Sequence, residues 1–172
     1  VMISASVWSL LIPSIEAADS CIPAALGFLC GIGFLLLLDM IIPHLHLESE
    51  NPEGLPVKLP KKTMLLFAVT LHNIPEGMAV GIALAGSLSS ESGITAASAL
   101  VLSMGIALQN FPEGAVVSIP LIGEGMSRKK AFAAGVLSGA VEPVAAILTM
   151  LFTRELSSVL PFLLAFAAGA MM

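Results

Sequence analysis

Two hexapeptides carry side chains able to hold a cation: His72-Asn73-Ile74-Pro75-Glu76-Gly77 and Gln109-Asn110-Phe111-Pro112-Glu113-Gly114. Both read x-Asn-x-Pro-Glu-Gly, and both lie inside long apolar runs. A carboxylate is costly there, and an ionisable residue within a membrane span is by default a functional-site hypothesis. On a helix, residues three and four apart share a face. His72 and Asn73 are therefore expected to project with Glu76, and Gln109 and Asn110 with Glu113. Each proline adds an oxygen, because without an N–H it leaves the carbonyl four residues earlier, Leu71 or Leu108, without its helical donor. A third intramembrane carboxylate, Glu142, precedes Pro143 in Ser138-Gly139-Ala140-Val141-Glu142-Pro143.

Three carboxylates and one imidazole are hard to keep ionised away from water. A divalent cation would neutralise them. Imidazole with carboxylate and amide oxygens suits Zn²⁺, Fe²⁺, Mn²⁺ or Co²⁺, and the lack of a thiolate in the motifs argues against Cu⁺. Taken singly, Glu142 is as readily a protonated packing residue, and His72 more readily a satisfied core histidine than a ligand. The recurrence of Asn-x-Pro-Glu-Gly in two spans outweighs that reading for the group. His44 and His46, with Glu48 and Glu50, form a weaker patch that reads equally well as solvated loop. Asp39, near a span end, reads as a snorkelling side chain, and Met2, Met78 and Met104 as packing residues.

The elements that must position these groups are membrane helices. Hydrophobic residues make up 57% of the 172 residues and charged ones 11%, against about 25% charged in a soluble domain. A span needs roughly 20 apolar residues. Four stretches qualify, at about 22–43, 63–86, 94–122 and 130–152, with partial ones at 1–15 and 157–172. The runs are continuous rather than alternating, which argues against a β-barrel. The expectation is an all-α, multi-pass transmembrane helix bundle forming a single domain over residues 1–172. Both ends fall within apolar runs, as expected of a fragment of a longer protein. Three G-x-x-x-G pairs, Gly27/Gly31, Gly77/Gly81 and Gly135/Gly139, predict close helix contacts. Cys21 and Cys30 would be too far apart along the helix for a disulfide and read as thiols of the buried type.

Lys58, Lys61 and Lys62 lie in the 44–62 loop, and Arg128, Lys129 and Lys130 flank the 123–130 loop, whereas the opposite side has only Arg154. The positive-inside rule puts both loops in the cytoplasm. A basic surface of the kind nucleic acid requires is lacking, since the basic residues are scattered over loops.

At this point the chain resembles the ZIP (Zrt/Irt-like) family of divalent metal transporters. The resemblance rests on His-Asn-x-Pro-Glu-Gly in one span, x-x-Pro-Glu-Gly in the next and Glu142 in the following one. Gln109 to Gly114 together with Ser138 to Pro143 is similar to the GufA-like branch, as are Trp8-Ser9-Leu10-Leu11-Ile12-Pro13 and Phe166-Ala167-Ala168-Gly169-Ala170-Met171. The resemblance implies eight spans, of which this chain would hold the second to seventh. It implies His72, Glu76, Gln109 and Glu113 as ligands of one metal, with Asn73, Asn110 and Glu142 completing an adjacent second position. Many members carry aspartate where Asn110 stands, so the second position has one negative charge fewer.

The combined reading is a transporter that moves Zn²⁺, and with it Fe²⁺, Mn²⁺ or Cd²⁺, toward the cytoplasm by alternating access. It needs no cofactor, the metal being cargo. Its expected partners are divalent metal ions, the lipid bilayer and, as an option, a second copy in a homodimer. The expected location is integral and multi-pass in a membrane that the sequence does not identify, the plasma or inner membrane if the source is bacterial. Two other classes fit the residues less well. An intramembrane metal-dependent hydrolase would use Glu76 or Glu113 as general base, but H-E-x-x-H is absent. A passive cation channel would use the carboxylates as a ring.

Overall fold

Two features break what would otherwise be six uninterrupted apolar helices, and both involve proline. In a computed structural model the described residues are 2–18, 20–42, 60–88, 94–155 and 159–172, with residues 61 and 153–155 described by backbone only. His44, His46, Glu48, Glu50, Lys58 and Glu91 lie outside them. Every element among the described residues is a helix. The first apolar segment comprises α1 (Met2–Ser4), a π-helical stretch (Ala5–Leu11) and α2 (Ile12–Glu16). In it the Ile12 N–H donates to the carbonyl of Val7, five residues back. Pro13 has no N–H and crowds the preceding turn, and a widened turn relieves that crowding.

Next come α3 (Cys21–Ile41), α4 (Lys61–Ser87) and α5 (Ala96–Gly123). Ser20 caps α3 by accepting the Ile22 N–H at 3.2 Å. Thr95 and Ser98 form a reciprocal capping box at the start of α5, the arrangement that satisfies two orphan donors at once. The second break separates α6 (Arg128–Gly139) from α7 (Val141–Glu155). Pro143 cannot donate to the carbonyl of Gly139, so the ladder of α6 stops and a new helix begins. Glu142 sits in the first turn of α7 for this reason. The last helix is α8 (Leu160–Ala170). Four stretches are long and apolar enough to cross a bilayer: Cys21–Ile41, Lys62–Ser87, Ala96–Gly123 and Arg128–Phe152.

Central position belongs to α4. Half of its apolar window is buried inside the molecule, 50% against 17% for α3 and α5. It packs on α5, α7 and α8, while α3 packs on α8 and α6 on α5. Glycines set the closest of these approaches. A Cβ at Gly27 or Gly31 would overlap the carbonyl oxygens of Phe162 or Phe166 on α8. One at Gly81 would lie 3.0 Å from the Ala146 Cα on α7, and one at Gly135 2.9 Å from the Gly114 carbonyl oxygen on α5. Gly139 has only the Glu142 Oε1 nearby, at 3.9 Å, so its smallness does not serve a helix contact. Large apolar side chains such as Leu26, Leu29, Leu36 and Leu37 point away from the bundle, as lipid-facing residues do. Cys21 and Cys30 are free and exposed on α3, which corrects the expectation of buried thiols: the face of α3 turned to the bundle is the glycine face.

Two apolar clusters divide the interior. The larger joins Ala79, Ile82 and Ala83 of α4 to Ala99, Leu102 and Ile106 of α5 and to Leu160 and Leu164 of α8. The smaller joins Leu65 of α4, Val117 and Leu121 of α5 and Ala131 of α6. Because α4 and α5 run antiparallel, these clusters lie on opposite sides of the two hexapeptides along the bundle axis.

Candidate metal centre

Between those clusters α4 contributes Asn73 and Glu76, α5 contributes Gln109, Asn110 and Glu113, and the first turn of α7 contributes Glu142. Glu76 is completely buried, and Asn73 and Glu142 are buried too. The amide of Gln109 donates to Glu76 Oε1 at 2.7 Å and to Glu113 Oε1 at 2.8 Å. Asn110 Nδ2 donates to Glu142 Oε2. Asn73 Nδ2 donates to the carbonyl of Ser138 at 3.0 Å. Every carboxylate of the group thus accepts from a primary amide, and one amide links the two hexapeptides.

Donors are nevertheless too few. Asn73 Oδ1, Glu76 Oε2, Asn110 Oδ1, Glu113 Oε2 and Glu142 Oε1 are all buried without a hydrogen-bond partner. An unpaired buried polar atom costs about 1–3 kcal/mol, and a charged one more. Among the described residues only one other buried side-chain atom, Ser6 Oγ, shares this state. Four of the five residues with unpaired oxygens line one cavity of about 20 Å³, together with Val69, Gly114, Gly135, Ser138 and Gly139. Its volume suits a single water-sized occupant, and its polar walls are oxygen acceptors.

Among the described residues no three His, Cys, Asp and Glu side chains come together closely enough to hold a metal by themselves. Any ion here would need the amide oxygens of Asn73, Asn110 or Gln109 as well. His72 stands apart, exposed on α4. Four residues advance a helix by about 400°, so His72 is rotated by about 40° from Glu76. With Glu76 wedged among neighbouring helices, that offset carries the imidazole outward. The resemblance implied Asn73 beside Glu142 but not its hydrogen-bond partner, the Ser138 carbonyl. A backbone acceptor has no signature in residue type. Gly135 and Gly139, which line the cavity with Gly114, were legible only as packing residues.

A sequence profile described as ZIP zinc transporter matches residues 48–172. The chain is 33% identical to zinc transporter ZIP11 of Xenopus tropicalis over 248 residues, which cover 99% of this chain and 74% of that protein. Human zinc transporter ZIP11 is 32% identical over 254 residues, with 99% and 74% covered. Zinc transporter GufA of Myxococcus xanthus is 36% identical over 174 residues, covering 96% of this chain and 65% of that protein. These relatives are transporters rather than enzymes, which sets the hydrolase reading aside. With four apolar helices of spanning length, the chain is an integral, multi-pass membrane protein. By profile and by relatives alike, the chain belongs to the ZIP zinc transporter family.

Proposed function

We propose that this protein carries divalent metal ions, Zn²⁺ foremost, across a membrane toward the cytoplasm, and that His72, Asn73, Glu76, Gln109, Asn110, Glu113 and Glu142 are the ligands it uses. The observation that carries this reading is the set of five buried oxygens without donors, one on each of five of those residues. A dication coordinated by them would relieve their burial and the mutual repulsion of three carboxylates together. Oxygen and imidazole donors accept Zn²⁺, Fe²⁺, Mn²⁺ and Cd²⁺ alike, so Zn²⁺ is chosen on the strength of the relatives and the others are related cargo.

The basic loops give the orientation, and inward movement is our reading upon it. Lys62, Arg128, Lys129 and Lys130 mark the end of the bundle that holds the smaller apolar cluster, and the positive-inside rule makes that end cytoplasmic. Cargo would enter past the larger cluster, shed water for side-chain oxygens, and leave past the smaller one when helices shift. The test is metal uptake into proteoliposomes by the full-length protein. Saturable uptake, abolished by Glu76→Ala, is expected. A rate rising linearly with metal concentration far beyond the millimolar range would mean an open pore instead.

A further inference from the structure

Three amides serve this site, and they do not point the same way. Asn73 spends its Nδ2 on the Ser138 carbonyl and Asn110 spends its Nδ2 on Glu142. Each leaves its Oδ1 buried and unpaired. Gln109 is reversed. Its Nε2 sits between Glu76 Oε1 and Glu113 Oε1, at 2.7 and 2.8 Å, and gives one hydrogen to each. An amide NH₂ carries partial positive charge and no lone pair for a metal. It occupies the place between two carboxylates that a cation would take, and a cation there excludes it.

We propose that the Gln109 amide is a placeholder for the cargo: it bridges Glu76 and Glu113 while the site is free of metal, and it must turn about its last side-chain torsion, withdrawing Nε2 and offering Oε1, for metal to bind between them. This rests on the metal-site reading above and adds a step to it. The half-turn is a rotation about an sp³–sp² bond, which is broad and soft, so both orientations are within reach of one side chain. The bridge keeps α4 and α5 joined between loads, when the two acids would otherwise repel each other. It also divides the site. The cavity of Asn73, Asn110, Glu113 and Glu142 presents oxygens without rearrangement, whereas the position between Glu76 and Glu113 opens only after the amide turns.

Gln109 is the only glutamine among the 172 residues, and in protein carrying glutamine labelled with ¹⁵N at Nε2 and ¹³C at Cδ its amide is the signal that Gln109→Ala removes. The experiment is nuclear magnetic resonance on the labelled chain in lipid nanodiscs, before and after saturation with Cd²⁺, with calorimetry on the same sample. The expected result is that both amide protons resist exchange without metal, and that Cd²⁺ speeds their exchange by about tenfold or more, as loss of charge-assisted hydrogen bonds requires. The ¹³Cδ signal should shift as its oxygen becomes a ligand. If calorimetry shows Cd²⁺ bound while both protons keep their shift and protection, the placeholder is wrong and the metal site stands. If no Cd²⁺ binds, the site reading fails and the placeholder falls with it.

Discussion

Gly77, the last residue of the first hexapeptide, lies backbone to backbone against Glu142 at the start of α7. A Cβ at Gly77 would stand 2.8 Å from the Glu142 Cα and 2.9 Å from the Ala145 Cβ, and nearer still to the Glu142 carbonyl oxygen. The motif that carries Glu76 therefore also fixes how closely the third carboxylate approaches it. Gly77→Ala should push α7 outward despite the higher helix propensity of alanine. Overpacking of this kind costs about 1–3 kcal/mol, and metal affinity should fall at least tenfold. Gly33→Ala is the control, since nothing lies within 4 Å of a Cβ there. It should be neutral or stabilising by up to about 1 kcal/mol. Thermal unfolding and Cd²⁺ titration of both variants check the contrast.

Glu76→Gln keeps the shape of a fully buried side chain and removes its charge. Breaking a buried charged contact at a metal site should weaken binding by two orders of magnitude or more, about 3 kcal/mol. Calorimetry with Cd²⁺ measures it, and affinity within threefold of the parent would remove Glu76 from the ligand set.

His72→Ala separates the exposed imidazole from the buried oxygens. Because His72 is exposed, its loss should leave stability within about 0.5 kcal/mol. Metal binding should weaken, but by less than in Glu76→Gln. The reverse order would mean that the imidazole turns inward and dominates once metal is present.

Protons and metal compete for the same carboxylate oxygens, since a protonated acid is a poor ligand. Uptake should fall as pH is lowered, and metal binding in weak buffer should release protons. Calorimetric heats measured in buffers of different ionisation enthalpy count them. A heat that does not vary with buffer would place binding away from Glu76, Glu113 and Glu142.

Asn110→Asp replaces a donor to Glu142 by a like charge. The metal-free protein should lose stability, by about 1–3 kcal/mol for the lost bond and the repulsion. With Cd²⁺ present the extra carboxylate should raise the number of ions bound per chain, since charge matching matters more in a low dielectric. Unfolding temperatures with and without Cd²⁺ should therefore diverge more in the variant than in the parent.

The helices and the grouping of two of the acids were legible in the sequence because both depend on spacing. Apolar runs of span length and two prolines placed alike set Glu76 and Glu113 in corresponding turns of α4 and α5, while Glu142 was joined to them by the resemblance. The pairs Gly27/Gly31 and Gly77/Gly81 were legible as contacts, though not against which helix. Hidden from the sequence were the features decided by neighbours. Whether His72 follows Glu76 inward depends on which helices crowd α4. The direction in which Gln109, Asn73 and Asn110 turn their amides depends on where acceptors stand, and one of those is the Ser138 backbone. The break at Ala140 follows from Pro143, yet its use, setting Glu142 in a first helical turn, appears only when α4 is in place.

The apolar clusters on either side of the site make the molecule, in electrical terms, an interrupted conductor. Ala79, Ile82, Leu102 and Ile106 close one end, and Leu65, Val117 and Leu121 the other. On the proposed reading, an ion leaving the acids along the axis would run toward one or the other of these clusters. On the alternating-access reading proposed above, passage would wait for helices to part, a motion of microseconds to milliseconds. Throughput is then counted in ions per movement, and a planar bilayer containing the protein should show no unitary current steps.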